Sequence, residues 1–424
     1  FVSNSTYSFV HAYIENVYDM SNTKITSGHS VSTKAVAPAL FSNGTANTTT
    51  TVNFDVSNNN RSNTNTITGY EISHSPDANE SQPVSKTPSN TAPDAALQNV
   101  ELTDLSANRT YSITVVNVPS SGSDFKSAAS SSLNETTLPL APTLSASSTA
   151  STTSSVNFDV NNNNENGSLA ISGYKVTHSP TNSISQPVAK TPANTAADAT
   201  GVDTQLTGLA ANTTYTITCV NVGTGGDSAS SGSITATTLP AAPTLAGSDT
   251  ANTKTTTNIL ISNNNTASTL DIDNYKILLG GALHKTQAAG NTASNATNTD
   301  TAITDLSANS QYVITIKNIN SASKESAASS SITETTLANA PTVADSSTAN
   351  TTSTININIA NNNPNGSLAI TNNVVSYTPS GGSESTVNKN SNSTADSTND
   401  TQITGLTANT SYVIKAKKIG RAHV

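Results

Sequence analysis

Apolar and polar residues alternate in short runs along the whole chain. Val156, Phe158 and Val160 are separated by single polar residues, and the same pattern recurs at Val52, Phe54, Val56 and at Ile355, Ile357, Ile359. Successive side chains of a strand point to opposite faces, so a period of two predicts a strand with one buried face. A second run, 171–178, puts Tyr174, Val176 and His178 on one face and is matched at 67–74 and 272–279, while Asn373 stands in the tyrosine position of the last copy. A third run, Tyr215, Ile217, Cys219, recurs as Tyr111, Ile113, Val115 and as Tyr312, Ile314, Ile316. No stretch carries the 3.6-residue period of an amphipathic helix.

The runs are separated by turn signals. Consecutive asparagines follow the first strand of every copy, at 58–60, 161–164, 263–265 and 361–363. Asparagine tolerates positive φ, so these segments predict turns. Ala-Pro recurs at Pro38, Pro142, Pro243 and Pro341, and Leu-x-x-Asn-x-x-Tyr recurs from Leu105, Leu209, Leu306 and Leu406. Both signals repeat with a period of about 100 residues. The resulting units are 38–141, 142–242, 243–340 and 341–418, the last stopping before its final strand. Residues 1–37 align with the end of a preceding unit, Asn4 to Phe9 matching Asn108 to Ile113, and are expected to be poorly ordered or artificially paired. Residues 419–424 read as translated sequencing adapter and are set aside.

Several short alternating strands per hundred residues, with turns between, predict an all-β chain. The expected architecture is tandem immunoglobulin-like antiparallel β-sandwiches, arranged as beads on a string. Composition agrees: charged residues are 11%, Trp is absent, and Asn, Thr, Ser and Ala dominate. Thr favours strands, whereas Asn and Ser compete with the backbone for hydrogen bonds and favour turns.

The segments Asn166-Gly-Ser-Leu-Ala-Ile171-Ser-Gly-Tyr174-Lys-Val176 and Thr207-Gly-Leu209-Ala-Ala-Asn-Thr-Thr-Tyr215 resemble the fibronectin type III family. The resemblance spans essentially the whole chain, four times in register. It implies a tyrosine corner, in which the ring hydroxyl bonds back to the backbone upstream, at Tyr111, Tyr215, Tyr312 and Tyr412. One departure stands out. Where the family usually carries a tryptophan at the end of its second strand, this chain has Val56, Val160, Ile261 and Ile359, which implies a lighter core.

Candidate chemistry changes the picture little. The net charge is −9 and the Lys and Arg residues are scattered, which argues against nucleic acid. The single cysteine, Cys219, occupies the slot of Val115 and Ile316 and reads as packed core. His74 and His178 read as surface or edge residues. Asp271 and Asp273 lack the further carboxylates a calcium site needs. No apolar run reaches the ~18 residues of a membrane span. No catalytic motif appears, and no catalytic, cofactor-binding or metal-ligating residue is assigned. The expected role is a non-enzymatic extracellular spacer or stalk, with adhesion, within a larger surface or secreted protein. Each unit would add ~30 Å, giving on the order of 100 Å in line. The alternatives are a carbohydrate-binding accessory region of a secreted polysaccharide-degrading enzyme and a structural part of a phage tail protein. Partners would be surface glycans or other proteins met through the loops. The oligomeric state is left open.

Overall fold

The structure is a computed structural model and describes residues 5–9, 12–13, 24–25, 29–76, 81–181, 185–391 and 394–419. The adapter-like segment, apart from Ile419, and much of 1–37 lie outside the described residues. Within 1–37, Thr6–Phe9 pairs antiparallel with His29–Ser32.

Four sandwiches follow one another. In the first, one sheet has the order Ala39–Ser42, Val52–Ser57, Gln98–Leu102, and the facing sheet Leu133–Thr136, Thr110–Pro119, Ile67–Ser75, Val84–Lys86. Every pairing in both sheets is antiparallel. The third sandwich repeats this order with Thr244–Gly247, Thr257–Ser262, Thr299–Ile303 against Ala282–Ala288, Ile272–Leu279, Gln311–Asn320, Ile332–Thr335. The second does the same, with Gly226–Asp227 added beside Thr214–Gly223. In the fourth, Thr342–Asp345, Thr354–Ala360, Thr398–Thr404 face Ser385–Asn390, Asn372–Pro379, Tyr412–Ile419, and Tyr412–Ile419 is the sheet edge. The one helical element among the described residues is the short turn Ser123–Phe125. By contacts the chain divides into two compact units: residues up to 150 with 157–206 and 215–236, and residues 151–156 and 207–214 with 237 onward.

The predicted alternation places the cores. Val52, Phe54, Val56, Tyr70, Ile72, Tyr111, Ile113 and Val115 are buried between the sheets of the first sandwich. Val56, Val160, Ile261 and Ile359, at the family's tryptophan position, are all fully buried. One feature breaks the simple alternation: the intervening Asn53, Asn157, Asn258 and Asn356 are buried too. Their amides donate back to the carbonyls of Ala46, Ala150, Ala251 and Ala349 at 2.8–3.2 Å. A buried amide must find partners, and the backbone seven residues upstream supplies one.

Candidate functional site

The features repeated from unit to unit lie in the loops. The Leu-x-x-Asn-x-x-Tyr segment runs from one sheet into the strand that carries the tyrosine. The Tyr111 hydroxyl accepts from Ser106 N at 2.9 Å, that of Tyr312 from Ser307 N at 2.8 Å, and that of Tyr412 from Thr407 N at 2.9 Å. Tyr215 is buried, with the His178 ring edge-on at 5.4 Å. His74 meets Tyr111 in the same way at 5.3 Å. Both histidines are buried, which corrects the expectation of surface positions. They share a face with a tyrosine and a branched aliphatic residue, and that face points inward whatever its polarity.

The asparagine triplets divide their work by position. The middle residue takes positive φ in every copy: 59° at Asn59, 63° at Asn163, 62° at Asn264 and 56° at Asn362. The first residue is buried, and its Oδ1 accepts the core tyrosine hydroxyl: Tyr70 on Asn58 at 2.6 Å, Tyr174 on Asn162 at 2.7 Å, Tyr275 on Asn263 at 3.0 Å. The third is also buried, and its Oδ1 accepts from the N–H of Val36, Leu140, Ala241 or Asn339, in the segment leading into that sandwich. In the first three sandwiches a further asparagine, Asn117, Asn221 or Asn318, donates to the carbonyl of the same leading residue at 2.9–3.0 Å. The loops that looked free for a glycan therefore spend most of their amides internally.

The same loops build the junctions between successive sandwiches. In the first compact unit, Leu138 is tied to the first sandwich: its N–H donates to Thr48 O at 2.8 Å and its carbonyl accepts from Asn108 N at 3.0 Å. Leu140 is tied to the second sandwich by Asn164 and Asn221, so Pro139 alone lies between the two anchorages. In the second unit, Leu239 and Ala241 flank Pro240 in the same way, and Leu337 and Asn339 flank Ala338.

A second clamp reinforces each junction. Asn108, in the left-handed region at φ 56°, accepts Leu169 N at 2.9 Å on its carbonyl and donates its side-chain amide to Leu169 O. Asn212 engages Leu270, and Asn309 engages Leu368, through the same pair of bonds. One detail differs: Asn320 Nδ2 donates to Asn212 Oδ1 at 2.9 Å, whereas Asn108 Oδ1 has no protein partner. The residue in the Asn320 position of the second sandwich is Gly223, and a Cβ there would lie 3.1 Å from Asn108 Oδ1. The clamp residue was visible in the sequence as the fixed asparagine of the tyrosine motif. Its partner, about sixty residues downstream, carried no local signal.

The remaining candidates are structural. Cys219 is buried in the second core, and burial pushes its thiol up to about 12, far from the range of a reactive thiolate. Asp271 and Asp273 are exposed, and their carbonyls accept Ser321 N and Ala289 N. No group of three or more His, Cys, Asp or Glu that could hold a metal occurs among the described residues.

The family model of the fibronectin type III domain matches residues 36–132. No curated protein matches the chain. Among solved structures, the crystal structure of chicken CNTN1 FN1–FN3 domains is similar at 15% identity and a TM-score of 0.23, over 72% of this chain and 99% of that one. Fibronectin type III domains are in general non-catalytic structural modules. The matched segment is the first sandwich up to its closing strand, and the strand order and tyrosine loop of that sandwich return in the units that follow: the chain is a tandem repeat of antiparallel β-sandwiches whose first member matches the fibronectin type III domain.

Proposed function

We propose that this chain is a stiff, non-catalytic spacer, working outside the cell as part of a surface or secreted protein. The observation that carries the reading is the junction: one residue lies between the anchorages of neighbouring sandwiches, and an asparagine clamp bonds each of the first three tyrosine loops to the next sandwich. A flexible linker requires several residues free of such bonds. Repetition of one fold and one junction suits selection for reach. No helix among the described residues is long and apolar enough to cross a membrane.

Small-angle scattering of the full chain tests this. The expected result is an elongated particle with a longest dimension on the order of 100 Å, from ~30 Å per sandwich. Replacing Asn108, Asn212 and Asn309 together with alanine is expected to broaden the distance distribution while strand content, by circular dichroism, stays the same. A compact particle, or a distribution unmoved by the triple change, contradicts the proposal.

A further inference from the structure

Two of the sandwiches depart from the shared pattern on an outer face. In the third, Ile272–Leu279 buries Tyr275 and Ile277, so Lys276 and Leu278 point outward. Leu278 pairs with Leu283 on one side and with Thr315 on the other, and Val313 lies two residues before Thr315 on the same strand. Cross-strand and diagonal neighbours on one face are within reach of each other, so the three apolar residues form one patch. Leu283 and Val313 are exposed large hydrophobics. The first sandwich has Ser73 and Ser112 in the places of Leu278 and Val313, and the second has Thr177 and Thr216. Leu283 reaches this face because a turn through Gly280 and Gly281, both at positive φ, leads into a strand of seven residues, where the first two sandwiches have one of three. In the next row Lys276 stands opposite Lys317, and the two share one carboxylate, Glu325, at 2.7 and 3.5 Å.

In the first sandwich the other sheet departs. Phe54, Val56, Val100 and Leu102 are buried, which turns the row Phe41, Asp55, Asn99 outward. Phe41 is exposed, and Ser145, Ala246 and Ala344 hold its place in the other sandwiches. Leu97, just before Gln98–Leu102, is 59% exposed and has φ 24°. Gly201 and Asn298 precede the same strand in the second and third sandwiches, at φ 61° and 48°. Glycine and asparagine enter the left-handed region at little cost, whereas an exposed leucine there gives up conformational freedom and buries nothing. Ser145, Gly201, Ala246 and Asn298 are exposed in sandwiches that have a described predecessor, so a preceding sandwich leaves this face open. Its charged residues are Asp55 and Glu101, both negative.

We propose that these two faces bind each other between copies of this chain. The Leu278, Leu283 and Val313 face of the third sandwich packs on the Phe41 and Leu97 face of the first sandwich of a second copy. The lysine pair then meets Asp55 and Glu101, whereas two like faces would set lysine against lysine or carboxylate against carboxylate. A net charge of −9 opposes any other approach of two copies. The contact is heterologous: each copy offers one face of each kind, so copies add in head-to-tail series. It does not depend on how stiff the junctions are.

Sedimentation velocity of the full chain, from micromolar to millimolar concentration, tests this. The weight-average sedimentation coefficient is expected to rise with concentration. Two paired substitutions introduce residues that other sandwiches already carry at these places: Leu278→Ser with Val313→Ser, and Phe41→Ser with Leu97→Gly. Each is expected to keep its strand content by circular dichroism and to weaken association by about tenfold or more. An equimolar mixture of the two variants retains one intact face of each kind, and is expected to recover a one-to-one dimer and nothing larger. Association unchanged in either variant, or a mixture that associates no better than its components, would overturn the proposal. So would a chain that stays monomeric at millimolar concentration, by leaving both faces to a different partner.

Discussion

The second and fourth sandwiches share the order of six strands and differ in what fills them. In the second, Tyr174 is fully buried with its hydroxyl on Asn162, and Asn221 Nδ2 bridges Asn162 O and Leu140 O. In the fourth, Asn373 stands in place of the tyrosine and Lys418 in place of the bridging asparagine. Asn361 Oδ1, Asn363 Nδ2, both side-chain polar atoms of Asn373 and the Lys418 ammonium are buried without a protein partner. Burial pulls the lysine down to about 8. The buried apolar cluster of the fourth sandwich is reduced to Ile357, Ile359, Val375, Ile403 and Leu406, with Tyr412 and Ile414 only partly covered. Alternation and turn chemistry thus suffice to set the topology, while stability depends on a few large or amide side chains that the topology does not require.

The strongest way to break the comparison is to make the second sandwich resemble the fourth. Tyr174→Ala removes a fully buried aromatic ring and strands Asn162 Oδ1, and is expected to cost about 3–5 kcal/mol. Amide exchange resolved by segment should then show 156–222 opening while 52–115 is unchanged. The converse change is expected to be smaller. Asn373→Tyr with Lys418→Asn supplies a donor to Asn361 and replaces an unpaired ammonium, and each repair should return about 1–3 kcal/mol to the fourth sandwich. Its thermal transition, followed by exchange at 355–419, should move up; no movement would show that the equivalence of these slots is only geometric.

The smallest effect is one of pH, and it has opposite signs in the two regions. Desolvation by burial raises Tyr70 and Tyr174 to about 12, and in Tyr174 the nearby Cys219 adds to the rise. Their folded values lie above the unfolded value near 10, so the native state holds the protons longer. The first and second sandwiches should therefore keep this contribution below pH 10 and lose it between about 10 and 12. Lys418 is lowered from 10.5, so the unfolded state binds the extra proton, and the fourth sandwich should gain stability as pH rises from about 8 towards 10.5. Segment-resolved denaturation at pH 7, 9 and 11 reads both trends; a common trend in all sandwiches would remove the distinction.

Much of the fold was legible in the sequence because period-two alternation is read directly by a two-sheet core. Val156, Phe158 and Val160, the tyrosine strand and the asparagine turns needed nothing from elsewhere in the chain. The leading strands, such as Thr143–Ala146, and the short Val84–Lys86 were not legible, since each is only three or four residues long and has no fully buried member. Their pairing is imposed by the neighbouring strand. The histidines were misplaced because polarity was weighed above the face they share with Tyr70 and Tyr174. The junction clamp was hidden for another reason: Asn108 looks like any left-handed turn residue until Leu169 lies against it.

Amide exchange across the full chain at neutral pH puts the contrast between the second and fourth sandwiches to the most direct test. The account predicts long-lived protection at 174–178, where the Tyr174 hydroxyl is held by Asn162, and markedly faster exchange at 373–377, where the polar atoms of Asn373 are buried without a protein partner. Equal protection of the two strands would contradict it.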